Sequence, residues 1–190
     1  MVRASPVAPR RSYQVLQCPL QGTVEADETF VGGKDKNKHA KDRKGGTQGG
    51  AGKTIVPGMI ERDGQLRTVV VTDLKAKTVQ TIVRENVAKG SNLMTNEAGS
   101  YRGLGRDYHH HTVNHGASEY VLRTNSIESV WVILKRQFIG IHHWVSPKHL
   151  TRDAADMTWR FNRRDMSVTD RMNDIFGGME GWLRHKTLIS

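Results

Sequence analysis

Four side chains in this 190-residue chain have the types and spacing to act on phosphodiesters. Glu25 and Asp27 lie two apart in TVEADETFV (residues 23–31), whose β-branched and aromatic content, closed by Gly32-Gly33, predicts a strand. Strand side chains alternate, so Glu25 and Asp27 share one face while Val24 and Ala26 share the other. Glu128 falls in the first turn of a segment whose apolar residues Ile127, Val130, Trp131, Leu134 and Phe138 recur at helical spacing. Lys135 follows Glu128 by seven positions, two helical turns, so both can project from one helix face. Carboxylates backed by a cation that can hold phosphate suit phosphodiester chemistry. Each acid also has a plain structural reading. Asn125-x-x-Glu128 resembles a capping box, in which the Glu reaches back to a free backbone N–H. Arg123 and Arg136 add positive charge nearby in sequence.

The elements that must position these residues follow from local patterning. Residues 54–62 and 66–72 read as two strands joined by a hairpin at Asp63-Gly64, with Pro57 placing the first at an edge or at a bulge. Val79, Ile82, Val83 and Val87 mark a helix over 76–88, which Gly90 ends. Residues 91–96 read as a short strand running into the turn-prone Ala98-Gly99-Ser100, and by pattern alone Asn96 is a strand-end turn residue. Residues 108–115 suit another strand. Ser146-Pro147 predicts a helix start, Ser as N-cap and Pro at the first helical position, with the stripe Leu150, Ala154, Met157 and Phe161. Beyond Asp165 the pattern weakens, and no internal repeat is visible. Strand, loop, hairpin, helix, strands, helices is an α/β order: a mixed sheet flanked by helices.

Composition narrows the partner. Lys and Arg number 29 against 19 Asp and Glu, a net charge of +10 that favours polyanions, nucleic acid first among them. Residues 34–53 carry seven Lys/Arg against two Asp in a glycine-rich loop. Within it GGTQGGAGKT invites a phosphate-loop reading, which fails: Thr47 stands where the first Gly belongs, and a Pro-containing strand follows instead of a helix. His109, His110 and His111 would alternate faces on a strand and cannot converge on a metal; with His115, His142 and His143 they read as basic decoration or plain surface. The single cysteine, Cys18, excludes an internal disulfide and a cysteine-rich zinc module. The chain has neither a membrane-length apolar run nor a secretory h-region, so a cytosolic setting is the default.

Several segments resemble the DDE catalytic domain of ISXO-type insertion-sequence transposases: TVEADETFVGGK, TNEAGSYRGLG, VNHGASEYV, and TNSIESVWVILKRQFIGIHHWVSPKHL followed by WRFNRR. They occur in order between about Gly22 and Arg164. The resemblance implies a ribonuclease-H-like fold and cut-and-join chemistry on transposon ends and target DNA by a homo-oligomer. It also implies two Mg²⁺ (or Mn²⁺) ions on three acidic residues, activating the attacking oxygen and stabilising the leaving one. Mapped here, those positions are Asp27 (bridging both ions), Asn96 and Glu128 (on the second ion), with Lys135 as the basic residue that follows. Lys34, Lys53, Arg123, Lys135 and Arg136 are then expected to contact DNA phosphates.

Two departures matter. The family has Asp where Asn96 stands, so one negative charge is missing and catalysis is expected to fall by orders of magnitude. Glu97 points to the wrong face to replace it, whereas Glu25 shares the face of Asp27. Full-length relatives carry an N-terminal zinc ribbon, which the leader and its one Cys do not supply. The expected organisation is a poorly ordered leader (1–20), a catalytic domain (21–165) and a C-terminal tail (166–190). The alternative function is a catalytically dead, DNA-binding transposase remnant.

Overall fold

The alternation in TVEADETFV is realised as strand β1 (Thr23–Val31), the centre of a five-stranded sheet. The structure, a computed structural model, describes residues 18–32, 53–113, 125–138, 140 and 147–177. The basic loop up to residue 52 (Lys34 included), the leader to residue 17, Arg123, His115, His142, His143 and Ser146 lie outside them. On one side β1 pairs antiparallel with β2 (Thr54–Glu61), which pairs antiparallel with β3 (Leu66–Thr68). On the other it pairs parallel with β4 (Asn92–Thr95), and β4 parallel with β5 (His109–Thr112). The order is β3-β2-β1-β4-β5 with β2 alone reversed, the ribonuclease-H-like mixed sheet the resemblance implies.

Helices α1 (Ala76–Asn86), α2 (Asn125–Gln137) and α3 (Leu150–Asn162) cover this sheet. Because β1 is covered on both faces, its alternate residues feed two cores. Val24 and Ala26 pack with Val79, Ile82 and Val83 of α1, and with Leu93, Tyr101 and Leu104. Val31, Val56 and Ile60 pack with Ile127, Val130, Trp131 and Leu134 of α2, and with Leu150 and Met157 of α3. Val79 and Val83 of α1 and Ile127, Val130 and Leu134 of α2 are buried, so these two helix stripes are core faces as their spacing predicts, although Val87 falls just past the end of α1.

The hairpin turns where expected: Asp63 takes φ +60, and Gly64 N–H donates to the Glu61 carbonyl at 2.9 Å. Besides shifts of one or two residues at element ends, such as α1 closing at Asn86, three features differ from the sequence reading. Strand β2 is interior, so Pro57 is not at an edge; instead the β3 ladder stops at Thr68, opposite Gly58, and resumes only at an isolated Ile55–Val71 bridge. Pro57 accepts from Val69 N–H at 3.0 Å but has no N–H to return, which explains the break at this point. Helix α3 begins at Leu150, because Pro147–His149 form a turn and the His149 carbonyl receives the N–H groups of Arg152 and Asp153.

The third difference lies after Asp165. The chain divides into one unit over Cys18–Asn162 and another containing Arg163–Ser190 with the first 17 residues. In the latter, α4 (Val168–Gly177) is a helix with a capping box of its own. Ser167 Oγ receives Asp170 N–H at 3.1 Å and donates to Asp170 Oδ2 at 2.6 Å. Arg163 and Asp174 pair at 2.6 Å within this unit.

Candidate active site

Asp27 lies on β1 opposite Gly58 of β2, on the face that α2 covers. A Cβ on Gly58 would sit 2.8 Å from Trp131 Cζ2 and closer still to Cη2. The missing side chain therefore lets the Trp131 ring lie on the sheet, where its Nε1–H donates to Asp27 Oδ2 at 2.9 Å. The helical stripe makes Trp131 a core residue, and at 5% exposure it is one; its indole N–H also finds the partner that a buried Trp requires.

Asn96 is the first residue beyond β4. Its Oδ1 accepts Ala98 N–H at 3.0 Å, the local turn bond its residue type favours. With the oxygen so engaged, Nδ2 faces the other way and donates to Asp27 Oδ1 at 3.0 Å. Reversing the amide would place oxygen against carboxylate and N–H against N–H, so the two contacts fix its orientation together. Both oxygens of Asp27 thus hold neutral N–H donors, one from Asn96 and one from Trp131.

Asp27 opens into a cleft of about 490 Å³ whose walls include Glu28 and Thr29 of β1, Lys53, and Glu128, Val132 and Lys135 of α2. The helix brings Glu128 and Lys135 to one face, as their spacing predicts, and sets them across from Asp27. Arg136 is exposed on the same helix but does not line the cleft. Asn96 touches Asp27 but does not line this cleft; it lines a smaller hollow of about 260 Å³ with Glu97, Ala98, Arg102, His110 and Thr112. Glu97 is exposed and lines that hollow, not the cleft of Asp27; since β4 ends at Thr95, strand alternation no longer applies to it.

Glu25 is not free to replace the charge missing at Asn96. It is 1% exposed, and its Oε1 accepts Arg62 Nη2 at 3.1 Å. Its Oε2 accepts the backbone N–H groups of Ser126 and Ile127, at 3.0 and 3.1 Å. The acid overlooked in the sequence is Glu28. Tyr101 O–H donates to Glu28 Oε2 at 2.9 Å, yet burial, with Asp27 alongside, keeps the Glu28 carboxyl above the usual range. Burial likewise pushes the Tyr101 phenol well up, with Glu28 adding to the shift.

A two-cation centre needs oxygen donors with enough negative charge to balance about +4 beside a polyanion. Here Asp27, Glu28 and Glu128 line one cleft, but Glu28 is bonded to Tyr101 and burial disfavours its charged form, while the one oxygen of the Asn96 side chain is bound to Ala98 and its N–H₂ faces Asp27. No group of three or more His, Cys, Asp or Glu side chains able to hold a metal occurs among the described residues. As it stands, the donor set does not fit a two-cation centre.

The histidine run keeps the alternation expected of it. His109 and His111 are exposed, while His110 Nε2 lies 2.8 Å from Thr95 Oγ1. The Thr95 hydroxyl proton goes to the Asn96 carbonyl at 2.9 Å, so His110 is the donor in that pair. Burial, and then His111, lower the His110 pKa below its ordinary 6.5. A histidine depressed in the folded state takes up protons first in the unfolded chain, so its stabilisation is present above 6.5 and lost as pH falls below it. The melting temperature is therefore expected to fall between pH 7 and pH 5, with a shallower fall in His110→Gln; equal slopes by calorimetry would discount this group.

The described residues include no helix long and apolar enough to cross a membrane. No curated protein matches the chain. Among solved structures, the catalytic core domain of BIV integrase is similar at 11% identity and TM-score 0.48, covering 83% of this chain and 97% of that one. A chain of the simian T-cell lymphotropic virus intasome in complex with PP2A regulatory subunit B56 gamma is similar at 9% identity and TM-score 0.48, covering 86% and 56%. The Mos1 transposase paired-end complex with left transposon end is similar at 15% identity and TM-score 0.33, covering 80% and 56%. The chain thus spans little more than half the length of the last two. The family model of the ISXO2-like transposase domain matches residues 19–162. Because that match runs from just before β1 to the last residue of α3, taking in all the elements that border the cleft, the chain belongs to the ISXO2-like transposase domain family.

Proposed function

We propose that this chain is the catalytic domain of an insertion-sequence transposase whose strand cleavage and strand transfer are impaired at Asn96. In this reading Asp27, Asn96 and Glu128 occupy the three metal-binding positions of a family that depends on divalent cations, Mg²⁺ or Mn²⁺. The observation that carries it is the 3.0 Å bond from Asn96 Nδ2 to Asp27 Oδ1, an amide hydrogen where the chemistry wants a negative oxygen. The test is nicking and joining of plasmid DNA in Mg²⁺ or Mn²⁺ by the parent, Asn96→Asp, and Asn96→Asp carrying Asp27→Ala. Activity gained with Asn96→Asp and lost again with Asp27→Ala is expected. A parent that already cuts as fast as Asn96→Asp refutes impairment.

The same bond also favours a second reading, a DNA-binding remnant without chemistry, since it leaves Asp27 satisfied with no cation. That reading holds if Asn96→Asp binds DNA and never cuts. In both, DNA (transposon ends and target) is the partner, bound by a homo-oligomer, and Lys53, Lys135 and Arg136 hold phosphates together with Lys34 and Arg123. Phosphate contacts release counterions, so affinity should fall steeply with salt, and Lys135→Gln should lower the log–log slope by about 1. Affinity that does not change from low to high salt removes the electrostatic basis of binding.

A further inference from the structure

Glu25 is a fully buried acid that the cut-and-join reading does not use, and its partners suggest a task. A helix N-terminus leaves backbone N–H groups without intrahelical partners, and a carboxylate there is favoured both by hydrogen bonding and by the helix dipole. Side chains that meet this need usually come from the helix's own N-cap. At α2 a side chain about a hundred residues away in sequence does so: Glu25 Oε2 takes the N–H groups of Ser126 and Ile127. Arg62, just past the end of β2, holds the other oxygen, so the carboxylate is clamped between the sheet and the helix.

We infer that Glu25 is a positioning residue that fixes the first turn of α2 to β1 and thereby sets Glu128 and Trp131 against Asp27. Two side chains apart on one strand face, Glu25 anchors the helix and Asp27 receives what the helix delivers. The residues bonded to Glu25 immediately precede Glu128, and Trp131, one turn further on, reaches Asp27 Oδ2. A helix held at both points can neither slide along the strand nor rotate without breaking charge-assisted hydrogen bonds. Glu25 touches neither DNA nor a reacting atom in this account; it acts through α2. The inference rests on the assignment of Asp27 and Glu128 proposed above.

The test needs no catalysis, so its failure and a failure of that assignment are separable. In ¹H–¹⁵N NMR spectra of the parent chain, the Trp131 indole N–H is identified by its loss in Trp131→Phe. Glu25→Gln keeps the size of the side chain but gives up its charge and one acceptor oxygen. It is expected to lower hydrogen-exchange protection of the Ser126 and Ile127 amides about tenfold or more. It is also expected to move the Trp131 indole resonance toward its position in Asp27→Ala, where the acceptor is gone. Arg62→Met removes the outer partner alone and should leave both signals in place. If Glu25→Gln frees the two amides while the indole stays as in the parent, the bond is a local cap and positioning is overturned. Should Glu25→Gln not fold, Arg62→Met decides: an indole shift there assigns the anchoring to the ion pair and overturns the inference, and an unmoved indole with protected amides supports it.

Discussion

An Asn96→Asp chain is expected to melt below the parent in EDTA and above it in millimolar Mg²⁺. At position 96 one oxygen can still accept Ala98 N–H, as Oδ1 does now. The other then faces the Asp27 carboxylate across the 3.0 Å that an N–H spans in the parent. Losing that bond and setting like charges together costs about 2 kcal/mol, or about 4–8 °C for a chain of this size. A cation between the two acids reverses the sign, since a ligand at a hundred times its Kd adds about 2.7 kcal/mol. The parent, whose Asp27 is already satisfied by Asn96 and Trp131, should melt at nearly the same temperature with and without Mg²⁺. Cleavage should rise with the restored charge by at least about a hundredfold, the scale on which one electrostatic contact to a transition state acts. Equal Mg²⁺ shifts in parent and variant would show that the Asn96 amide is not what keeps the cation out.

Gly58→Ala should be the most destabilising single-methyl change in the sheet. The new carbon lands within 2.8 Å of the Trp131 ring, on an interior strand that cannot retreat. Overpacking of this kind costs about 1–3 kcal/mol, and displacing the indole from Asp27 forfeits a hydrogen bond to a charged group, about 1.5–3 kcal/mol. A drop of about 3 kcal/mol, read as a lower urea midpoint at unchanged slope, is expected. Gly105→Ala, where nothing lies within 4 Å, is the control and should be near neutral. Trp131→Phe should partly relieve Gly58→Ala, because the two side chains compete for one volume, so the cycle should be non-additive. A Gly58→Ala chain as stable as the control would remove the steric explanation of the Trp131–Asp27 bond.

How far the site could be read from the residues depended on whether a local rule reached it. Alternation was enough to put Glu25 and Asp27 on one face, and helical spacing enough to put Glu128 and Lys135 on another. What alternation cannot say is which of two acids on a face meets a helix terminus and which meets the cleft. Glu25 therefore read as a spare charge, although the fold had spent it on α2. Glu28 escaped for the opposite reason: by alternation it belongs to the other face, yet it stands beyond the last β1–β4 pair and lines the same cleft. Gly58 carried no signal, since a glycine in a strand does not announce the ring that covers it. Pro57 was read as an edge or a bulge because interior strands need every N–H, and here the neighbouring ladder gave way instead. The helix over 168–177 was legible in Ser167-x-x-Asp170, a capping box that its weak apolar pattern obscured.

The sheet order also has a kinetic consequence. Strands β1, β2 and β3 are joined by antiparallel pairing between neighbours in sequence, and the β2–β3 turn is tight, whereas β1 meets β4 only after the chain has passed through the hairpin and α1. Pairings that close long loops are made late, because their entropy must be met before their contacts form. Asp27 belongs to the early half, and its two partners stand 69 and 104 positions further along the chain. Refolding should therefore protect the β2 amides first and restore the Trp131 indole bond in the last phase. The cleft is then the part of this unit that exists only once folding is finished.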